Sequence, residues 1–227
     1  LGRAGERTGW LERDVKATAV LPVKRFGKAK RRLAAGIDDA RREALVGAML
    51  EDVLEAIGEA RSLERTIVVS DDLRAAEAAA AAGAEVVPDP AQPGHPEAAL
   101  AGIARAEELG AECVILLPGD CPLLEPRELD RLLTGVPTSF VAIVPDRHGT
   151  GTNSLVLAPP DAIRPAFGEG SCARHVAAAR EAGVPFGVEQ IASLALDLDT
   201  PADVIALTRE LEAQPGRAKR TAKALGI

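Results

Sequence analysis

The chain has 227 residues, 47% hydrophobic and 27% charged, with a formal net charge of −7; that length supports one substantial core, and the acidic balance speaks against a general nucleic-acid binder, whose footprint is basic. One Trp, four Phe and no Tyr disfavour a base-stacking platform, and no apolar run approaches the roughly 20 residues needed to span a bilayer. Cys113, Cys121 and Cys172 are odd in number and lack ligand spacing, which argues against a disulfide framework or a zinc site. Residues 1–14 are polar and glycine-rich and lack the apolar segment of a secretory signal. They read as an N-terminal tail on a protein of the reducing cytoplasm.

A single domain is expected over 15–213. Residues 18–23 predict a first strand. Residues 39–60 predict a helix with Leu45, Met49, Val53 and Ile57 on one stripe. A strand over 66–69, a helix over 73–82 stopped by Gly83, and a short strand over 85–87 follow. Then come a helix over 97–109, a strand over 113–117 and a helix over 125–133. Strands are predicted over 140–144 and 154–157, a helix over 171–182, and strands over 186–189 and 194–198. A helix over 202–212 closes the domain. Pro215 and Gly216 end it, and 214–227 reads as a basic C-terminal tail with no face to bury. Alternation of this length argues the α/β class, a mostly parallel sheet covered by helices.

In such sheets ligands sit outside the carboxyl ends of the strands. The buried-strand run from Val114 ends in Pro118-Gly119-Asp120, so Asp120 reads as a metal or substrate ligand; the plain alternative is a turn or cap. Asp197 and Asp199 flank Leu198 and would share one face of an extended strand. Thr200 and Pro201 resemble a helix start. Carboxylates from separate strands repel unless a cation lies between them. Magnesium, hard and oxygen-seeking, suits that place and would neutralise charge on a reacting phosphoryl group.

Just after the first strand, Lys24, Arg25, Lys28, Lys30, Arg31 and Arg32 form a cationic loop, with Gly27 available for a tight turn. The loop is neither GxxxxGK[S/T] nor GxGxxG. It reads as a phosphate-binding loop, or otherwise as a solvated basic turn. Residues 146–153 supply glycines and hydroxyls, and Phe167-Gly168-Glu169-Gly170-Ser171 places Ser171 to cap a helix. A helix N-terminus favours an anion. His175, one turn further, reads as orienting that loop.

Five motifs occur in order: PVKxxxxAKxRL from Pro22, PxDxPLL from Pro118, GTGTN from Gly149, FGxGSxxxH from Phe167 and DxDTPxD from Asp197. Together they resemble the CofC/FbiD guanylyltransferases of coenzyme F420 biosynthesis, over about residues 19–207. The resemblance implies a Rossmann-like, mostly parallel mixed sheet flanked by helices, the MobA-like nucleotidyltransferase fold. It implies an enzyme that joins GTP to a small phosphorylated three-carbon acid and releases pyrophosphate. Actinobacterial forms of that family are associated with phosphoenolpyruvate and archaeal forms with 2-phospho-L-lactate; the Ala- and Arg-rich composition is similar to that of a high-GC bacterium, so the resemblance implies phosphoenolpyruvate here, with 2-phospho-L-lactate and 3-phosphoglycerate as the alternatives.

Carried over by position, Lys24, Lys30 and Arg32 would hold the GTP phosphates, with Gly27 and Gly94 beside the nucleotide. Asp120, Asp197 and Asp199 would hold Mg2+, Asp120 being central to catalysis. Thr150, Thr152, Gly168 and Ser171 would grip the acid. One departure stands out: Gly94-His95-Pro96 replaces the family's Gly-Leu-Asn, removing an amide that could meet the base or ribose. A homodimer and handover of product to the next enzyme are further expectations, with neither nucleic acid nor membrane as partner. The nearest competing reading is a CTP-using relative, and the most different is a nucleotide-binding regulator without turnover.

Overall fold

The computed structural model describes residues 17–30, 33, 38–90 and 95–227. Arg32, Gly94 and the N-terminal tail lie outside the described residues. In chain order the elements are β1 (Ala17–Pro22), α1 (Asp39–Glu59), β2 (Leu63–Val69), α2 (Leu73–Ala81), β3 (Glu85–Val87), α3 (His95–Glu108) and β4 (Val114–Leu116). They continue with α4 (Pro126–Leu133), β5 (Phe140–Pro145), β6 (Thr152–Ala158), α5 (Ser171–Glu181), β7 (Phe186–Val188), α6 (Pro201–Ala213) and α7 (Lys219–Leu225).

The seven strands form one sheet in the order β3-β2-β1-β4-β6-β5-β7. Every pairing is parallel except the two made by β6, which runs against both β4 and β5. This is the mostly parallel mixed sheet expected. Strand residues alternate faces, so β1 turns Ala17, Ala19 and Leu21 toward a layer of α1, α2, α4 and α6 and Val20 toward a layer of α3 and α5. α3 sits unusually close to β1. A Cβ on its Gly102 would lie 2.3 Å from Val20 Cγ1 and 3.0 Å from Val69 Cγ2, so only glycine fits. From β1 the chain builds outward to β2 and β3 and then returns to place β4 on the other side. That reversal opens a crevice at the carboxyl ends of β1 and β4.

Two sequence expectations are corrected. Residues 194–198 alternate like a strand but pair with no strand. A 3-10 turn, Ala192–Leu194, leads into an irregular stretch. Side chains and loops take its backbone groups instead: Ser193 N–H donates to Glu128 Oε2 (2.9 Å), Leu194 O accepts from Asn153 Nδ2 (2.7 Å), and Ala195 O accepts from Arg147 N–H (3.0 Å). Leu194 and Leu198 then bury in the core without joining the sheet. The second correction concerns the C-terminal segment 214–227, which does have a face to bury. α7 docks on α1, where the buried carboxylate of Asp52 accepts from the N–H groups of Thr221 (2.8 Å) and Arg220 (3.3 Å), and Thr221 is fully buried. Asp52 thereby satisfies donors at the start of α7 that have no partner within the helix.

Candidate active site

The carboxyl ends of β1 and β4, the start of β6, the N-terminus of α5 and the stretch before α6 surround a cleft of about 790 Å³. Asp120, Asp197 and Asp199 line it, as do Lys24, Lys28 and Lys30 from the loop after β1. Thr150, Thr152, Gly168 and Ser171 complete the opposite wall. Gly27 does not reach the cleft: it is exposed within the 3-10 turn Phe26–Lys28. The left-handed backbone of this loop falls instead on Lys30, at φ 53°.

Lys30 is the electrostatic centre of the acidic wall. Its Nζ donates to Asp199 Oδ1 at 2.6 Å and pairs with Asp120 Oδ2, and about a tenth of the side chain is exposed. Its ammonium therefore lies against two of the carboxylates. Burial works against the charge, but Asp120 and Asp199 outweigh it and hold Lys30 above its ordinary value. Asp197 is also shifted toward its protonated form, which for a carboxyl is the neutral one. Burial is the main cause, repulsion from Asp120 and Asp199 adds to it, and Lys30 and a hydrogen bond from Asn153 only partly offset it. Asn153 Nδ2 reaches Asp197 Oδ1 at 3.3 Å.

Three carboxylates thus share one ammonium, and the surplus negative charge and all-oxygen donor set fit a hard divalent cation. In the arrangement described, Lys30 lies between Asp120 and Asp199. Among the described residues no three His, Cys, Asp or Glu side chains already form a metal-holding group.

The opposite wall centres on the N-terminus of α5 and the loops before it, with Asp146 and Glu169 also in its lining. Gly170, at φ 70°, caps α5, so Ser171 is the first helical residue rather than the cap expected from sequence. The Ser171 hydroxyl is buried and has no hydrogen-bond partner among the described residues. Asp146 accepts from the N–H groups of His148 (3.1 Å), Thr150 (3.0 Å) and Gly151 (3.0 Å), which ties down the loop carrying Thr150. Arg174 holds the facing loop through the carbonyls of Ala166 (2.9 Å) and Phe167 (3.2 Å). His175 Nε2 lies 2.8 Å from the Ala166 nitrogen and Nδ1 lies 3.0 Å from Thr152 Oγ1. Burial, helped by the neighbouring Arg174 charge, brings the imidazole down to about 4, so the ring is neutral near pH 7.

Residues 17–221 match the family model described as guanylyl transferase CofC like. The chain belongs to that family. A relative from Conexibacter woesei named phosphoenolpyruvate guanylyltransferase is 46% identical over 205 residues, covering 89% of this chain and 92% of its own. One from Phenylobacterium zucineum named 3-phospho-D-glycerate guanylyltransferase is 39% identical over 196 residues, covering 85% and 90%. Among solved structures, a nucleotide-diphospho-sugar transferase from Desulfovibrio desulfuricans G20 superposes with a TM-score of 0.72 at 17% identity, covering 92% of this chain and 96% of that one. A nucleotidyl transferase from Methanothermobacter gives 0.63 at 19%, covering 87% and 98%. At those identities the two structures show the fold, and it is the nucleotidyltransferase fold.

This CofC-like cleft is also supported from behind by a buried residue that the sequence reading passed over. Asp203 Oδ2 accepts from Asp199 N–H (3.0 Å), Thr200 N–H (2.7 Å) and Thr200 Oγ1 (2.9 Å), while its other oxygen pairs with Arg147. It completes a capping box with Thr200 and fixes the backbone that carries Asp199. The signal was present as the last aspartate of DxDTPxD, three residues after the threonine cap.

Proposed function

We propose that the protein transfers GMP from GTP to phosphoenolpyruvate and releases pyrophosphate, with Mg2+ held by Asp120, Asp197 and Asp199. The observation that carries this reading is the pairing of two opposed walls in one cleft. Surplus carboxylates and a lysine-bearing loop face a helix N-terminus with an unpartnered buried hydroxyl. Lys24 and Lys28 are exposed on the rim, where flexible point charges suit a polyphosphate. Lys30, held in its charged form by its carboxylate neighbours, stands beside Asp120 in the same cleft. Arg32 and Gly94 belong to the same nucleotide-binding assignment.

A bound divalent ion would neutralise charge on the reacting phosphoryl group. The remaining work falls to the chain itself. A phosphate oxygen of the acid attacks the α-phosphorus of GTP, and pyrophosphate leaves from the opposite side. The attacking oxygen is ionised near neutrality, so no strong general base is needed. Thr150, Thr152, Gly168 and Ser171 hold the acid in line, and the cationic loop stabilises the added negative charge. The helix dipole at Ser171 favours the acid's anionic groups. The three thiols are unpaired, which suits a reducing cytoplasm, and the product would serve as an activated precursor in coenzyme F420 biosynthesis.

The test is a pyrophosphate-release screen of GTP, CTP, ATP and UTP against phosphoenolpyruvate, 2-phospho-L-lactate and 3-phosphoglycerate, with and without magnesium, and mass analysis of the products. A guanylylated phosphoenolpyruvate formed only with magnesium supports the reading. Release with another acid alone replaces the substrate. Nucleotide binding with no pyrophosphate in any well would make the protein a regulator.

A further inference from the structure

We propose that His175 is a positioning residue that sets the hydrogen-bond polarity of Thr152, turning that hydroxyl's only proton into the cleft for an anionic oxygen of the substrate acid. The inference rests on the reading that the acid binds between Thr152 and Ser171. Its starting point is the nitrogen of Ala166, 2.8 Å from His175 Nε2. A backbone N–H can only donate, so Nε2 must present a lone pair, and the ring's single proton is on Nδ1. Nδ1 lies 3.0 Å from Thr152 Oγ1; the ring therefore donates and the hydroxyl oxygen accepts. A threonine hydroxyl carries one proton. With the ring no longer available as its acceptor, that proton is left to point elsewhere, and Thr152 lies on the cleft wall.

The surroundings support this direction. His175 is wholly buried, and the edge of its ring meets Phe167 at 5.4 Å between centroids. Burial and the neighbouring Arg174 charge both favour the neutral ring. Ser171, one helical turn before His175, offers a second hydroxyl without a partner among the described residues. Two hydroxyl donors and a helix N-terminus make a site for carboxylate or phosphate oxygens. The opposite tautomer would make Thr152 donate to the ring and present only lone pairs to an anion.

The experiment combines kinetics with NMR on the full chain. Nitrogen shifts of the ring in labelled wild type should report the Nδ1–H tautomer. His175→Leu should raise KM for the acid about tenfold to a hundredfold, the scale of one hydrogen bond to a charged group, while KM for GTP stays within about twofold and kcat within a few-fold. His175→Asn, whose amide nitrogen can replace Nδ1 as donor, should restore most of the acid affinity. An Nε2–H tautomer, or an unchanged acid KM in a folded His175→Leu enzyme, overturns the proposal. If His175→Leu does not fold, the wild-type tautomer and the His175→Asn kinetics decide. A wild type that turns over no phosphorylated acid overturns the guanylyltransferase reading and with it the ligand assigned to Thr152. A wild type active on the acid beside an unaffected variant overturns this inference alone.

Discussion

Asp120→Asn separates chemistry from folding. Asp120 is paired with Lys30, and about a quarter of its side chain is exposed. Losing a hydrogen bond to a charged group costs about 1.5–3 kcal/mol when the group is left without a partner. Here Lys30 keeps Asp199 at 2.6 Å, and Asp197 loses the stronger of its two repulsive neighbours. Solvent screening reduces the remainder, so the net change in stability should be within about 1 kcal/mol. For a domain of this size that is a shift of roughly 2–4 °C in Tm. Turnover should fall by ~100-fold to 1,000-fold, the usual effect of removing one preorganised electrostatic group at a reacting centre. Pyrophosphate release at saturating substrates and a melting curve of the same preparation measure both. Turnover within about tenfold of wild type would remove Asp120 from the reaction centre. A fall in Tm well beyond that range would make it a structural residue.

Other consequences follow from particular contacts. Ser171→Ala should raise KM for the acid about tenfold, a typical loss of one hydrogen bond, with KM for GTP unchanged; equal effects on both substrates would contradict its placement. His175 is lowered to about 4 by burial and Arg174, whereas a free imidazole titrates near 6.5. Its contribution is therefore complete above about pH 6.5 and is lost as pH falls toward 4, by up to roughly 3 kcal/mol. Urea unfolding at pH 7, 6, 5 and 4, wild type against His175→Asn, should show that extra loss in wild type only; parallel profiles would refute it. Gly102→Ala places a methyl group 2.3 Å from Val20 Cγ1 and should destabilise by about 1–3 kcal/mol through overpacking. A change below about 0.5 kcal/mol in chemical unfolding would show that α3 can move away.

Local pattern carried most of the fold. The stripe of Leu45, Met49, Val53 and Ile57 lies in the buried face of α1, and the apolar run before Asp120 is the central strand β4. Pattern failed where tertiary partners decide. Leu194, Leu196 and Leu198 alternate as a strand would, but side chains of α4 and β6 and the backbone of Arg147 take the neighbouring backbone groups, and among the described residues no strand ladder forms there. α7 is short and basic, and partners far away in sequence show why it docks: the Asp52 carboxylate takes its first N–H groups, and Glu51 and Glu55 pair with Arg220. At the site, the carboxylates and hydroxyls were legible as motifs. Lys30 was read as a phosphate ligand, whereas its ammonium pairs with Asp120 and Asp199. Motif spacing carries no information about which charges meet across 90 or more residues of chain. The His175 tautomer was likewise beyond reach, because it depends on the Ala166 amide.

The reversed strand has a consequence for how the family diversifies. Because β6 runs against β4, the hairpin between Pro145 and Thr152 turns at the same end of the sheet where β1 and β4 finish. In the proposed assignment, donor and acceptor molecules are therefore served by separately encoded pieces of chain, joined beneath the cleft by bonds such as Ser154 Oγ to Leu116 O at 2.8 Å. On that assignment a lineage could rewrite the hairpin and leave the cationic turn alone, keeping its nucleotide while trading one small acid for another. Relatives named for two different acids are what such an exchangeable module would produce.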